Sequence, residues 1–309
     1  MIKKLRNIFN FAHFFLLLTF LSFILPSKYK AEMQEGLKSP LVFIIVLLII
    51  EFLFLIKLFG KKDIQASKDI LAFVFGFIFL WELLVSRFNI FPYVFVPAPE
   101  NVFYIFISDT KKILLGFLSS MFLLITGLFS AISSAVILGT FVGWNQRLTK
   151  AIYPIVKAIS TVPPLIYTPY VVLIMPTYTI ASFTVIFLSI FWGVFMSSIN
   201  NTAFVEKKII NSARVLNLPT ATILFKVIIP FNFPRIFNGL PINIATAIMT
   251  LTAAEMLGAD NGMGYYVRYS LSFANYTKAI AGIIFIALVV TLINNGISAA
   301  KKYLIKWNY

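Results

Sequence analysis

The feature that most constrains this chain is a succession of apolar runs, several of them about 20 residues long and nearly free of charge. That is the length a helix needs to cross the hydrocarbon core of a bilayer. Inside lipid every backbone N–H and C=O must find its partner within the protein, so a spanning segment is a helix or a strand of a closed barrel. Barrel strands alternate apolar and polar residues, and these runs do not. With 60% hydrophobic and 12% charged residues, the chain reads as an all-α, polytopic membrane protein.

Spans are expected near residues 8–25, 40–59, 69–88, 113–142, 151–175, 178–200, 236–257 and 279–300, about eight helices. The opening "MIKKLRNIFNFAHFFLLLTFLSFILPS" starts basic like a targeting segment. Its apolar run is long and no small-residue cleavage pattern follows, so it is expected to remain as the first span. Lys and Arg near span ends are held on the cytoplasmic side. An N-terminus inside puts 18 of the 26 basic residues in cytoplasmic segments and eight outside. Both termini are then cytoplasmic in a bacterial-type inner membrane, and so is the largest connection, residues 201–235. Residues 1–60 are expected to form an added pair of helices and residues 61–309 one membrane domain, with the seam near "GKKDIQASKD".

The composition also excludes function classes. There is no cysteine, hence no disulfide and no thiolate chemistry. His13 is the only histidine and is given no role. The formal charge of +15 is spread between apolar spans, which fits membrane topology and not nucleic-acid binding. Glu51, Glu82 and Glu255 are the acids in or beside spans, too sparse for a catalytic or metal-binding set. "LFGKKD" lacks the first glycine and the Ser or Thr of a P-loop. No enzyme activity and no cofactor are expected.

Within the spans, Gly116, Ser120, Gly127, Ala131, Ala135 and Gly139 fall mostly at small-xxx-small spacing, which lets helix backbones approach closely in lipid. Pro163, Pro164 and Pro169 interrupt the next run; such breaks occur along a pathway or as packing kinks. Glu255 in "LTAAEMLGADNGMGYYV" is either beside a pathway or bonded to backbone donors of the Gly258–Gly264 turn, the second being favoured. Pro163, Pro164, Thr252 and Glu255 are the candidate pathway residues.

The stretch "NSARVLNLPTATILFKVIIPFNFPRI", residues 211–236, differs from its apolar neighbours. It reads as two short helical pieces, Glu206–Leu216 and Ala221–Ile229, divided by "NLPT". Asn217 can take the left-handed conformation that ends a helix, Pro219 prevents continuation, and Thr220 can cap the second piece. Ser212 and Ala213 are small enough to leave room for a partner's surface.

These residues resemble the permease subunits of binding-protein-dependent ABC importers, whose cytoplasmic motif is E-A-A, three residues, G, nine residues, I-x-L-P. Asn211, Ser212 and Ala213 stand at E-A-A, Asn217 at the glycine, and Val227, Ile229 and Pro230 at I-x-L-P, with the spacing kept in full. Asn211 replaces the acid, Ser212 an alanine and Asn217 the glycine. The segments "WELLVSRFNIFPYVFVPAPENVF", "YPIVKAISTVPPLIYTP", "AAEMLGADNGMGYYV" and "KKYLIKW" are similar to the nitrate, sulfonate and taurine branch, while "MPTYT" stands where that branch has a Phe-Gly turn.

The resemblance implies a six-helix core and a partner set: a second permease copy in a homodimer or heterodimer, cytosolic ABC ATPase subunits, an extracytoplasmic substrate-binding protein, and membrane lipid. It implies ATP hydrolysis in the separate ATPase. It also implies a coupling loop of Asn211, Ser212, Ala213, Asn217, Leu218, Val227, Ile229 and Pro230, with Asn211–Leu218 seated in an ATPase groove. The transported solute would be a small nitrate-, sulfonate- or taurine-like anion or a vitamin precursor. The competing reading is a channel or secondary transporter that works without an ATPase.

Overall fold

A computed structural model describes residues 10–29, 36–60, 65–92 and 95–304. Among them the regular structure is helical. The helices are α1 (Phe11–Ser22), α2 (Leu41–Gly60), α3 (Gln65–Arg87), α4 (Pro99–Ser108), α5 (Thr110–Trp144), α6 (Gln146–Ser160), α7 (Pro164–Ile174), α8 (Tyr178–Ala203), α9 (Lys207–Val215), α10 (Thr220–Gly258), α11 (Met263–Ser272) and α12 (Tyr276–Leu304). Five are long and apolar enough to cross a membrane: α3, α5, α8, α10 and the Tyr276–Lys301 part of α12. The α6–α7 pair makes a sixth if its two halves are one broken span.

Three expectations change. The span expected at 151–175 is bent by 88° between α6 and α7, where Pro163 and Pro164 interrupt the hydrogen-bond ladder. The separate helix expected at Ala221–Ile229 does not exist, because the chain continues from Thr220 through a π-helical turn, Leu224–Ile228, into the span ending at Gly258. The wide turn takes up the stretch that would otherwise meet Pro230, whose ring removes a donor and crowds the preceding turn. Thr220 does not cap; Pro219 occupies that position without a side-chain bond, and Thr220 is the first helical residue. The first expected run begins at residues 8–9, outside the described residues. As observed, α1 has 12 residues, about 18 Å at 1.5 Å per residue. The seam residues 61–64 and the end of "KKYLIKW" also lie outside the described residues.

The chain divides into two compact units, residues 1–111 with 269–283, and residues 112–268 with 284–309. In the first unit α1 packs on α3, and Ala12, Leu16, Phe43, Leu47, Phe54, Leu71, Phe75 and Ile78 form its core. Gly76 brings the α3 backbone against the Phe15 ring. His13 Nε2 lies 2.6 Å from Glu51 Oε1, so the sole histidine and this acid meet across α1 and α2. Phe43 stacks on Phe103 at 5.2 Å, joining α2 to α4.

At the end of α3 a π-helical turn, Glu82–Arg87, turns four polar or apolar side chains inward: Glu82, Val85, Ser86 and Arg87. Arg87 Nη2 meets Glu82 Oε1 at 2.6 Å and Glu100 Oε1 at 3.3 Å. Its Nη1 donates to the Leu25 carbonyl at 3.2 Å, and its guanidinium lies over the Phe23 ring. Ser86 Oγ donates to Glu100 Oε2, and Ser27 Oγ donates to the Ser86 carbonyl. One guanidinium therefore holds the chain after α1 to the ends of α3 and α4. A solitary buried charge would be expensive there, and this one is paired on both sides.

The second unit is built on the small-residue face of α5. Gly116, Ser120, Gly127, Ala131, Ala135, Gly139 and Gly143 are all buried. A Cβ added at Gly127 would lie 2.8 Å from Ile186 Cγ2, at Gly139 2.5 Å from Ser198 Cβ, and at Gly143 2.6 Å from the Ile199 carbonyl oxygen. The absence of side chains there lets α5 lie against the α8 backbone, as the small-xxx-small spacing predicts. α8 also packs against α10, and Ile186, Ile190, Ile199, Ile244, Ala247, Ile248 and Leu251 share one core. The length of α5, 35 residues, is about 52 Å, so it extends beyond a hydrocarbon core of about 30 Å.

Glu100 generates a test in the first unit. Burial first, and the neighbouring Glu82 carboxylate second, push its pKa up to about 8 from 4.5, against a lowering by the Ser86 hydroxyl. The folded protein then holds a proton that the unfolded chain releases above about pH 4.5, so this contribution to stability is full below that pH and is lost as pH rises through 8. Melting of the purified protein should fall between pH 5 and 8. Glu100→Gln, which keeps the shape without the proton, should flatten that slope.

Candidate functional site

Two constellations in the second unit have the build of functional sites: the turn after α9 and the carboxylate at the end of α10. The first begins where α8 ends at Ala203 and the chain turns into α9. Ala213 is 5% exposed and packs with Val205, Ile223, Leu224 and Ile228, against which Trp144, Ile209, Ile210, Leu218 and Phe231 are partly buried. The expectation that Ala213 leaves room for a partner is therefore corrected. Its small size lets α9 lie close to the helix that follows it.

The outward face of α9 carries other residues. Asn211 and Ser212 are exposed, and Ser212 Oγ donates to the Lys208 carbonyl at 2.9 Å. Val215 is 81% exposed and Leu216 71%. Two bulky apolar groups are thus exposed side by side at the end of a short helix, a feature that reading for small residues does not single out. The apolar pair in "ARVLNLP" was visible in the sequence, but its direction depended on which side Ala213 took.

Asn217 has φ +50°, the left-handed conformation expected of it. The Asn217 N–H donates to the Arg214 carbonyl at 2.9 Å, and the Leu218 N–H reaches back to the Ala213 carbonyl at 3.3 Å. These bonds close the last turn of α9 and bring Leu218 under it. Val227 and Ile229 are half-buried on either side of the fully buried Ile228, and Pro230 is exposed in the first turn after the π-helical stretch. The structure thus gathers Asn211, Ser212, Ala213, Asn217, Leu218, Val227, Ile229 and Pro230 into one turn and the helix start that follows it.

The second constellation centres on Glu255, which is 1% exposed. Its Oε2 accepts from the Gly264 N–H at 2.7 Å, and its Oε1 accepts from Ser120 Oγ at 2.5 Å. Ser120 Oγ in turn accepts from the Met263 N–H at 2.9 Å. The carboxylate therefore ties α5 and the start of α11 to the end of α10. Gly262 has φ +122°, and a Cβ there would lie 2.4 Å from the Glu255 carboxylate. A Cβ on Gly264 would lie 2.5 Å from the Thr252 carbonyl oxygen. Only glycine allows the turn to close on the acid.

Thr252 is half-buried one turn before Glu255, and its side chain takes no part in these bonds. Pro163 is exposed and Pro164 half-buried at the bend between α6 and α7. Neither belongs to the Glu255 network. Among the described residues no cluster of three or more His, Cys, Asp or Glu could hold a metal ion.

The bent turn at Asn217 and the glycine turn around Glu255 both lie inside one matched segment. A family described as the binding-protein-dependent transport system inner membrane component matches residues 135–307, more than half of the chain. The chain belongs to this family. Among similar proteins, the taurine transport system permease protein of Escherichia coli is 30% identical over 190 residues, 62% of this chain and 69% of that one. A putative aliphatic sulfonates transport permease protein of Bacillus subtilis is 28% identical over 172 residues, covering 56% of this chain and 62% of that protein. A nitrate import permease protein of Synechococcus elongatus is 28% identical over 176 residues, 57% of this chain and 61% of that one. The permease is thus a multi-pass inner-membrane transport protein similar to that branch, and α1–α4 precede the segment matched by the family.

The Glu255 turn makes a prediction. Gly262→Ala forces a side chain into a left-handed position already filled by the carboxylate, and should destabilise the permease by about 2 kcal/mol or more. The check is the melting temperature of the purified variant. Unchanged melting would mean that the turn does not close on Glu255.

Proposed function

We propose that this permease forms the translocation pathway of an ATP-driven importer. Two permease copies, of this chain or of this chain and another, enclose the path. Cytosolic ATPases bind the loop at residues 201–235, an extracytoplasmic binding protein delivers the solute, and both termini of the chain lie in the cytoplasm. Residues 1–60 are an added helical pair beside the transport domain of residues 61–309. The solute is a small anion of the nitrate, sulfonate or taurine kind, in keeping with the names of the relatives, or a vitamin precursor, as the family resemblance of the sequence allows.

The observation that supports this most is the two-sided character of α9. Ala213 anchors the helix inward, while Val215 and Leu216 stand outward beside the left-handed turn at Asn217. Burying such a side chain in a partner's groove contributes about 1.5–3 kcal/mol, enough to hold a helix that moves with the ATPase. ATP-driven closure of the ATPases then pulls on α9 and shifts the population between outward-open and inward-open arrangements. Asn211 and Ser212 line the docking face; Asn217, Leu218, Val227, Ile229 and Pro230 hold the turn rigid. Thr252, Glu255, Pro163 and Pro164 remain the candidates for residues beside the path.

Val215→Asp and Leu216→Asp should each abolish copurification of the ATPase and lower ATP-dependent uptake by at least about tenfold, with normal membrane insertion. Ala213→Leu should instead lower the stability of the permease itself, because that side chain faces inward. Full uptake by the Asp variants, or by vesicles stripped of ATPase, would replace this reading with a channel or secondary transporter.

A further inference from the structure

Away from α9, the second unit carries a polar groove between α8 and α10. Ser189, Gly193, Ser197 and Asn201 recur every fourth residue along α8 and so share one side of it. On α10, Arg235, Gly239, Asn243, Thr246 and Thr250 form a similar row. The two rows meet at both ends: Ser189 Oγ lies 3.4 Å from Thr250 Oγ1, and Arg235 Nη1 donates to Asn201 Oδ1 at 3.4 Å. The helices run in opposite directions, so Gly193 and Ser197 on one, and Gly239, Asn243 and Thr246 on the other, fall between those two contacts.

The middle of the groove is open. Gly193 and Ser197 are exposed, a Cβ on Gly193 would meet no atom within 4 Å, and one on Gly239 would meet only Asn243 Nδ2, at 3.9 Å. Some of its donors are also uncommitted. Ser189, Thr246 and Thr250 donate to carbonyls of their own helices. Ser197 Oγ instead accepts from Asn201 Nδ2 at 3.4 Å, and its proton has no acceptor among the described residues. The half-buried Asn243 amide makes no hydrogen bond among them either. Both helices are long and apolar enough to cross a membrane, and an amide placed against lipid without a partner is costly. These groups therefore face water or a polar ligand.

Charge selects the ligand. Between Asp109 and Glu255 the sequence holds one acidic residue, Glu206, exposed just before α9. Neither row thus has a carboxylate to repel an anion, and Arg235 puts a positive charge at one end. Amide and hydroxyl donors hold the oxygens of a sulfonate or nitrate through charge-assisted hydrogen bonds. With no cation in the middle of the groove the hold stays weak enough for the anion to leave, as passage requires.

We propose that the groove between α8 and α10 is a subsite for the oxoanion group of the transported solute. Ser197 and Asn243 are its donors, and Gly193 and Gly239 leave room for the ligand. The assignment deepens the importer reading and rests on it for what is carried; the subsite itself involves neither α9 nor the ATPase. It is also distinct from Glu255, whose oxygens are bonded to Ser120 and Gly264.

The chain has no cysteine, so single thiols report directly on the groove. Gly193→Cys and Ser197→Cys are compared in nanodiscs, without other subunits, with Phe129→Cys on the exposed apolar side of α5. The reagents are methanethiosulfonates carrying a sulfonate or a trimethylammonium group, with rates referred to a free thiol in solution. Both groove thiols should react, the sulfonate reagent at least about tenfold faster, and Phe129→Cys should not. Methanesulfonate should protect Gly193→Cys. Adding Asn243→Asp should raise the half-protecting concentration at least about tenfold and turn the preference toward the trimethylammonium reagent, while Asn295→Asp, the same charge on α12, should change neither. Reaction without sign preference or protection would leave a wet groove and overturn the anion subsite. No reaction at either thiol, the result if lipid or a second copy of the chain covers the groove, would overturn it as well. The importer reading fails separately: anion-selective labelling with uptake that needs no ATPase would keep the subsite and remove the importer, and unselective labelling with ATPase-dependent uptake would do the reverse. Circular dichroism and gel filtration confirm that the variants compared are folded.

Discussion

The close approach of α5 to α8 is the contact on which the second unit depends. Lipid tails are as apolar as leucine, so two helices in a membrane gain little by hiding apolar surface from one another. They gain by touching along more of their length than lipid could. Gly127, Gly139 and Gly143 allow this by leaving the α8 backbone and its short side chains the space a methyl group would take. With α5 fixed against α8, the aliphatic residues Ile186, Ile190 and Ile199 join the α5 and α10 side chains in one core.

Polar groups provide the second constraint, because a charge buried in or near lipid is costly unless a partner meets it. His13 meets Glu51, Arg87 meets Glu82 and Glu100, and Glu255 meets a serine and a backbone N–H. The solutions differ in consequence. The Arg87 group carries two carboxyls to one guanidinium, so a proton completes it. The Glu255 group uses backbone and hydroxyl donors, and its geometry is enforced by glycine at 262 and 264. Such sites fix how helix ends meet, which is where apolar packing is least selective.

Much of this was legible in the sequence. The helical class followed from run length, and the small residues of α5 marked its buried face, because spacing alone fixes which residues share a helix side. Asn217 was readable as a left-handed turn because few residues tolerate that conformation. The direction of Ala213 was not readable. A small residue suits a close contact on either side of a helix, and only packing against Ile223, Leu224 and Ile228 decided which. The continuity of α10 was hidden for a related reason. The piece expected at Ala221–Ile229 and the span expected from residue 236 form one helix: a π-helical turn precedes Pro230, and the helix carries on through Pro234 and Pro241. Arg87 and Glu100 were also unpaired in the sequence, since their meeting depends on how α3 and α4 turn toward each other.

That continuity changes what the loop can do. Had the chain formed a separate helix over 221–229, a pull on α9 would have been absorbed at a flexible joint before reaching the membrane. Instead α9 turns at Asn217 directly into a helix of 39 residues, whose far end carries Glu255 and its bonds to Ser120 and Gly264. Displacement at the α9 end must then either move the helix as a body against α8 or bend it. The places where a helix bends most readily are its prolines and its π-helical turn, and here these lie in the half nearer the loop. The half ending at Glu255 lacks proline from residue 242 onward and is packed through Ala247, Ile248 and Leu251. Force applied at the turn therefore concentrates its bending near residues 224–241, while the glycine-enclosed carboxylate holds the opposite end in register with α5.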